Sequence, residues 1–500
     1  MNSPYSTLQA RLTYFCKFSG FQALIVSILT ASAALLFGNA IHLAHIPYYY
    51  MQYLPVNALR SEPFQSIWYL HSQLPLENIL FAAIVNIFRH SSNSPTYIND
   101  FWKQDQYWIG VLIKQFAFLW LINFSLIRTA RLFVSEKKGY IAAIGFGVLP
   151  STLMYFLFPY SALMSASIYA ALAATLFTVK NSNRKLLISL TLISALGLSH
   201  NLFSYYTTFP ILFVLLFELL RNRKKTTFLY RTIACCIALL PVLWMAKNVY
   251  LFNIHNLTSW SGCALGQSIT PLIKSDKSID IDLQDGWKTA LATIQVGPEY
   301  SPIEKIPSPI VLNQKMKGEG IRNWNHKSVI KSCSLAKEYN SELLSRDPEL
   351  TGRFIHASSK RFLSTTGKFG SEFNCGGCGF DYNAFNFEPI GKIVDFLNRT
   401  PFKAPALRAW YLFILVLAPL TIFLKIRTGE QCILNANSRR YIPAFIISNI
   451  LVLVMATSLS TIENERMLWM LTPASYVFGL IFIGIVLRNH FKDNHKAGNI

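Results

Sequence analysis

The chain has 500 residues, of which 52% are hydrophobic and only 14% are charged. Roughly a quarter of the residues in ordinary globular proteins are charged, so this composition excludes most soluble classes. The formal net charge of +21 suggests nucleic-acid binding, but most of the excess lies in short loops between apolar blocks, where membrane topology explains it. The composition therefore predicts an all-α polytopic membrane protein and no nucleic-acid partner.

Ten apolar blocks approach the ~20 residues that an α-helix needs to cross a hydrocarbon core. They lie at about 21–44, 108–132, 139–157, 163–180, 185–202, 207–221, 229–252, 408–427, 441–460 and 467–488. The first block follows Lys17 and has features of a signal peptide, but its length favours a helix that is retained. The sequence thus predicts a bundle of about ten membrane-spanning helices.

Lysine and arginine near helix ends accumulate on the cytoplasmic side of membrane proteins. With the N-terminus inside, every inside loop is basic, whereas the short outside turns at 158–163 and 203–208 contain neither residue. The basic residues of the inside segments are Arg11, Lys17, Arg128, Arg131, Lys137, Lys138, Lys180, Arg184, Lys185, Arg221, Arg223, Lys224, Lys225, Arg231, Lys425, Arg427, Arg439, Arg440, Arg488, Lys492 and Lys496. This pattern predicts an even number of spans with both termini in the cytoplasm. The lack of a retention signal favours a bacterial inner membrane.

Two longer segments fall on the outer side of this topology. Residues 45–107, here the first polar segment, contain an apolar stretch at 79–88 that is too short to span and suits a helix in the membrane interface. Residues 253–407, here the second polar segment, have the composition and length of a globular domain, α or α/β. The predicted organisation is a seven-helix bundle at 1–252 that includes the first polar segment, an extracytoplasmic domain, and three helices with a cytoplasmic tail at 408–500.

Four of the eight cysteines fall in the second polar segment: Cys263, Cys333, Cys375 and Cys378. An even number of cysteines in an oxidising compartment predicts disulfides first. A zinc site is the competing interpretation, because Cys375-Gly-Gly-Cys378 has the spacing of metal ligands, but a second close pair of ligands is missing.

Ionisable groups at membrane depth or at the mouth of a bundle are costly and usually functional. Three places on the predicted outer side have such groups: Lys247 and Asn248 at the end of the seventh span, Glu463 to Arg466 in the last outside turn, and His71 with Glu77 in the first polar segment. A structural interpretation stands beside each functional one. Lys247 can snorkel from a helix end, and Glu463 with Arg466 can form a solvated turn.

Three short motifs resemble those of the GT-C superfamily of integral-membrane glycosyltransferases, which includes protein O-mannosyltransferases and the aminoarabinose transferases of lipid A. The first is His71-Ser72-Gln73-Leu74-Pro75-Leu76, similar to the family's His-Ser-Gln-Pro-Pro-Leu pattern. The second is Lys247-Asn248 followed by Ser259-Trp260-Ser261-Gly262, and the third is the turn Glu463 to Arg466 that leads into a helix with Pro473. The likeness covers most of the chain as architecture and about twenty residues as motif.

The resemblance implies transfer of a sugar from a polyprenyl-phosphate donor to a lipid, glycan or protein acceptor on the outer face of the membrane. It implies that Lys247 and Arg466 contact the donor phosphate, that His71 orients a substrate, and that Glu463 and Trp260 belong to the substrate site. The second polar segment, including the run Arg322-Asn323-Trp324-Asn325-His326, would cap the site and select the acceptor.

The chain departs from the family pattern at the catalytic base. Relatives have an acidic residue soon after the first helix, whereas this chain reads Ala44-His45-Ile46-Pro47-Tyr48 and has no carboxylate before Glu62. Glu62, Glu77 or His45 is then the base, since carboxylates and neutral imidazole can each accept a hydroxyl proton, or the protein is catalytically silent. The alternative functions are a carrier-lipid-binding or accessory membrane protein and a transporter.

Metal dependence is a further expectation that the sequence leaves open. Some relatives use a divalent ion bound by carboxylates, and the acidic run Asp276, Asp280, Asp282 and Asp285 is the only comparable group. Such spacing in a loop is more typical of a solvated surface, so no metal site and no cofactor is predicted.

Overall fold

The computed structural model describes residues 19–37, 53–88, 105–133, 136–148, 150–157, 161–179, 181–199, 208–221, 227–263, 309–318, 321–364 and 441–459, with a few single positions elsewhere. Within these ranges the chain is helical, apart from one two-stranded antiparallel pair in which Met316 lies opposite Arg322. The predicted all-α class is confirmed in the described ranges.

The helices of the first half are α1 Ser19–Phe37, α2 Val56–Ser61, α3 Pro63–Trp68, α4 Pro75–Ile87, α5 Asp105–Phe133, α6 Glu136–Gly147, α7 Pro150–Leu157, α8 Ser161–Thr178, α9 Ser182–Gly197, α10 Thr208–Arg221 and α11 Phe228–Phe252. The remaining elements are α12 Ile310–Asn313, β1 Met316–Gly318, β2 Ile321–Arg322, α13 Lys327–Arg346, α14 Pro348–Ser364 and α15 Tyr441–Leu459.

Three helices in the described ranges are long and apolar enough to cross a membrane, judged by length and composition: Ile109–Ala130 within α5, α8, and α11. The predicted span at 139–157 is instead two helices, α6 and α7, because Pro150 lacks the amide hydrogen that would continue α6. The predicted spans at 408–427 and 467–488 lie largely outside the described residues. The count of ten spans stays a prediction.

Helix α8 lies at the centre of the bundle and α11 at its edge. Of the apolar stretch in α8, 94% is buried, against 11% of that in α11. Alanine and serine dominate α8, and such small side chains let neighbouring helices approach closely. The exposed apolar face of α11 is what a lipid-facing helix presents to hydrocarbon chains.

Hydrogen bonds between side chains connect helices across the bundle. Asn123 of α5 donates to the hydroxyl of Ser27 in α1 at 2.9 Å. The Tyr169 hydroxyl of α8 donates to the side-chain oxygen of Asn449 in α15 at 2.6 Å. Interhelical bonds of this kind fix the register of apolar helices that dispersion alone would leave free to slide.

A second apolar core joins the two polar segments. It contains Tyr53 and Phe81 from the first segment, Phe252 at the end of α11, and Val311 and Ile330 from the second. Helix α4, which overlaps the predicted interfacial stretch, therefore has one face in this core. The two segments that the sequence separates by about 150 positions form one packed unit on the bundle.

Gly139 provides a test of the bundle packing. A Cβ at Gly139 would lie 2.5 Å from the methyl carbon of Ala130, and a methyl carbon cannot rotate away. We expect Gly139→Ala to lower the free energy of unfolding by about 1–3 kcal/mol, because α6 must move off α5. Thermal unfolding of the purified protein in detergent measures the change.

Gly145 of the same helix is the matched control, since no atom lies within 4 Å of an added Cβ there. Alanine favours helix over glycine by up to about 1 kcal/mol, so Gly145→Ala is expected to be neutral or slightly stabilising. Equal effects at the two positions would contradict this packing of α6 on α5.

Candidate functional site

The imidazole of His71 lies at a junction of three segments that are remote in sequence. Its side chain is completely buried. Nε2 lies 3.0 Å from the backbone oxygen of Asn325, and Nδ1 lies 2.8 Å from the hydroxyl of Ser259. A carbonyl oxygen only accepts, so Nε2 carries the proton and Nδ1 accepts from the Ser259 hydroxyl. Both ring nitrogens are thus used within the protein.

The pKa of His71 is lowered to about 3, chiefly by burial and next by the positive charge of Lys247. The hydrogen bond to the Asn325 carbonyl raises this pKa, and the charge of His326 lowers it by a smaller amount. The ring is therefore neutral at physiological pH. Lys247 donates to the carbonyl of Leu70, the residue that precedes His71.

Asn325 fixes the backbone of the His71 motif. Its side-chain oxygen accepts from the amide nitrogens of His71 at 2.8 Å and Ser72 at 3.1 Å, and its side-chain nitrogen donates to the carbonyl of Tyr69 at 3.1 Å. Asn325 is held in turn by Asn323, whose side-chain oxygen accepts from the Asn325 amide at 3.0 Å. The sequence indicated this run only as part of a cap, whereas it is the anchor of the site.

Lys247 lies near the C-terminal end of α11, and only 6% of it is exposed. Its ammonium donates to the carbonyl of Leu70 at 2.6 Å and lies 3.6 Å from the ring centre of Trp244. The ion pairs of the described ranges are Lys114–Glu77 and Arg346–Glu342, and Lys247 takes part in neither. In the described ranges the partners of this amine are a carbonyl and the rings of Trp244 and Phe252, and an anion bound beside it would favour its charged form.

The chain reverses direction directly after α11. Asn253 adopts a left-handed backbone conformation, with φ of 54°, and the Asn248 side chain donates to the carbonyl of Leu257 at 2.6 Å. The turn returns the chain to the His71 motif, where the amide of Ser259 donates to the His71 carbonyl at 2.8 Å. The second sequence motif is thereby docked on the first.

Two tryptophans and a disulfide bind this loop to the second polar segment. Trp260 and Trp324 meet edge to face with ring centres 5.0 Å apart, and a disulfide joins Cys263 to Cys333 of α13. A Cβ at Gly262 would lie 2.1 Å from the Cys333 carbonyl, so only glycine fits there. Trp260 thus lies next to the His71 junction, in a rigid loop.

Glu77 lies in the first turn of α4 as part of a buried cluster. Its Oε1 accepts from the Tyr53 hydroxyl at 2.6 Å and is ion-paired with Lys114 of α5. Burial raises the pKa of Tyr53 well above its ordinary value, and the carboxylate adds to the effect, so the phenol stays protonated and donates. The second oxygen of Glu77, Oε2, is buried without a hydrogen-bond partner in the described part of the chain.

Glu62 lies in a different setting. It separates the short helices α2 and α3, and its Oε2 accepts from the backbone amide of Ile310 at 3.4 Å. The side chain is half-buried rather than enclosed. Its described contact is therefore one that attaches α12 to the first polar segment.

The other predicted site residues lie outside the described ranges: His45, Glu463, Arg466, Cys375, Cys378 and the acidic run Asp276, Asp280, Asp282 and Asp285. Within the described ranges no group of three or more His, Cys, Asp or Glu side chains is arranged to hold a metal ion. Comparison with protein-family models, with curated proteins and with solved structures gives no match.

The pKa of His71 predicts how stability varies with pH. The unfolded chain binds a proton at this ring below its ordinary pKa of 6.5, whereas the folded protein does so only near pH 3. The contribution of His71 to the free energy of unfolding is therefore fully present above pH 6.5. It decreases by about 1.4 kcal/mol per pH unit as the pH drops toward 3. We expect His71→Asn to be less stable at pH 7.5 and to lose this component of the pH dependence.

The measurement is the unfolding temperature of the purified protein between pH 4 and 7.5. His356, an exposed histidine of α14, provides the control, and His356→Asn should keep the dependence of the wild-type chain. An unchanged pH dependence in His71→Asn would show that the imidazole is not buried in its neutral form.

Proposed function

We propose that the protein is a membrane glycosyltransferase that moves a sugar from a polyprenyl-phosphate donor to a lipid, glycan or protein acceptor on the outer face of the membrane. The proposal rests on the environment of Lys247. This residue is a buried cation near one end of a candidate span, without a carboxylate partner in the described ranges, beside the junction of the His71 and Ser259 motifs.

A buried cation without a counter-ion is costly, and an anionic ligand relieves the cost. A phosphate on a lipid carrier suits this position, because the polyprenyl tail can remain in the hydrocarbon while the headgroup reaches the ammonium. The cation then stabilises the phosphate as it leaves the anomeric carbon. We place Arg466 as a second cation on that phosphate, and Trp260 and Glu463 in the sugar site.

His71 has a positioning role in this proposal. Both of its ring nitrogens are bonded to protein groups, so the imidazole holds the Ser259 loop and Asn325 rather than contacting the donor. Trp260 follows Ser259 directly, so the same loop carries it next to the His71 junction.

We further propose about ten spans with both termini in the cytoplasm of a bacterial cell and residues 253–407 outside its inner membrane. Three helices already qualify as spans by length and composition, and the basic loops favour this orientation. The disulfide between Cys263 and Cys333 supports an oxidising compartment for the second polar segment.

Lys247 allows a direct test of the donor site. We expect Lys247→Gln to weaken binding of a polyprenyl phosphate by tenfold or more, on the order of the 1.5–3 kcal/mol of a charge-assisted hydrogen bond, and to lower donor turnover at least as much. The assay uses the full chain in lipid with a panel of polyprenyl-phosphate sugars and measures donor binding and donor loss separately.

Arg346→Gln is the matched control, because Arg346 is an exposed cation at the end of α13 that pairs with Glu342. Its binding and turnover should equal those of the wild-type chain. Donor binding without turnover in the wild-type chain would indicate a carrier-lipid-binding or accessory protein. A wild-type chain that binds none of the donors would contradict the proposal and favour a transporter.

The proposed topology predicts which side of the membrane each polar loop faces. Single cysteines replacing Arg184, an exposed residue in the first turn of α9, and Ser345 of α13 should behave oppositely. A membrane-impermeant thiol reagent added to spheroplasts should label Ser345→Cys and should label Arg184→Cys only after lysis. Labelling of Arg184→Cys from outside would overturn the topology and every site built on it.

A further inference from the structure

The buried carboxylate of Glu77 has one oxygen that the fold uses and one that it does not. Oε1 receives both the Tyr53 hydroxyl and the Lys114 ammonium. Oε2 has no hydrogen-bond partner in the described part of the chain, although Glu77 is only 4% exposed. A buried lone pair left without a donor costs free energy, so an ion pair that leaves one carboxylate oxygen unbonded is less stabilising than one that uses both. The free oxygen therefore requires an explanation.

We propose that Glu77 is the general base of the sugar transfer, acting through Oε2, and that Tyr53 and Lys114 are the positioning residues that hold its carboxylate. This inference rests on the proposed function, and it selects one of the three candidates that the sequence allows. Two donors on a single oxygen fix the carboxylate plane and leave the lone pairs of the other oxygen for a substrate hydroxyl.

The residues around Glu77 are themselves held in place. The ring of Tyr53 packs on Phe81 of α4 with 4.3 Å between ring centres. The amide of Leu54, next along the chain from Tyr53, donates at 2.9 Å to the side-chain oxygen of Asn78, next along from Glu77. Two parallel bonds thus join residues 53–54 to residues 77–78. Positioning of this kind is what a catalytic carboxylate needs, since small displacements of a base slow proton transfer strongly.

The base and the proposed phosphate site border the same apolar core. Leu70, whose carbonyl accepts from Lys247, belongs to the same apolar core as Tyr53 and Phe81. Only six residues separate Leu70 from Glu77 along the chain, and α4 starts at Pro75 between them. A donor whose phosphate binds at Lys247 therefore places its sugar in the neighbourhood of α4.

Glu77 and Lys247 account for the proton and the negative charge that move in the transfer step. The acceptor hydroxyl oxygen forms a bond to the anomeric carbon from the face opposite the phosphate, and its proton passes to Oε2 of Glu77. The bond between the anomeric carbon and the phosphate oxygen breaks, and its electron pair stays on the phosphate beside the ammonium of Lys247. The products are the glycosylated acceptor, with inverted anomeric configuration, and the polyprenyl phosphate.

Glu77→Gln is the decisive variant, because it keeps the shape of the side chain and removes its capacity as a base. We expect the turnover number to fall about 10²–10⁴-fold while binding of the polyprenyl-phosphate donor changes less than threefold. Tyr53→Phe removes one positioning donor and keeps the ion pair, so its turnover should fall about tenfold at unchanged donor binding. The full chain in lipid is used, with Glu342→Gln on the exposed face of α13 as the control.

The outcomes separate this inference from the proposed function. Wild-type turnover that survives in both Glu77→Gln and Tyr53→Phe overturns the role of Glu77 and leaves the transferase standing. Loss of turnover in Glu62→Gln alone moves the assignment to Glu62. If Glu77→Gln does not fold, the tenfold effect of Tyr53→Phe, with donor binding retained, decides the question. A wild-type chain that consumes none of the donors contradicts the proposed function itself.

Discussion

The burial of His71 is the constraint on which the arrangement of the site depends. A neutral imidazole out of contact with water needs a partner at each ring nitrogen, because an unpaired buried polar group costs several times what a hydrogen bond contributes. Ser259 and Asn325 supply these partners from positions 188 and 254 residues along the chain. The loop after α11 and the segment before α13 must therefore dock on the first polar segment before the ring can be buried.

Two buried lysines in this region differ in their partners. Lys114 is paired with Glu77, so its charge is compensated within the protein. Lys247 has a carbonyl and an aromatic ring, which orient an ammonium without neutralising it. A structural role accounts for Lys114, whereas Lys247 has no carboxylate partner in the described ranges, and a bound phosphate would supply the missing negative charge. This difference in partners is the reason that Lys247, and not Lys114, is the proposed phosphate-binding residue.

The disulfide and the asparagines act on the same junction by different means. Asn325 accepts from the amides of His71 and Ser72, and Asn323 supports it by accepting from the Asn325 amide and donating to the Val311 carbonyl. Cys263 and Cys333 restrict the ensemble of the unfolded chain and join the Ser259 loop to α13 covalently. The region has a small apolar core of its own, in which Val329 is the only residue buried with the two cysteines in the described ranges. Polar bonds and a covalent link therefore replace much of the packing that a larger domain would use.

The sequence by itself determined the all-α class, the positions of the three candidate spans in α5, α8 and α11, and the residue types of the three motifs, because hydrophobic block length and local charge are properties of contiguous residues. It also identified Lys247, His71 and Glu77 as unusual. Only the tertiary structure decided that His71 is enclosed by Ser259 and Asn325, that Lys114 pairs with Glu77, and that one oxygen of Glu77 has no hydrogen-bond partner among the described residues. These contacts join residues tens to hundreds of positions apart, and no local periodicity encodes which remote donor a buried acceptor will meet.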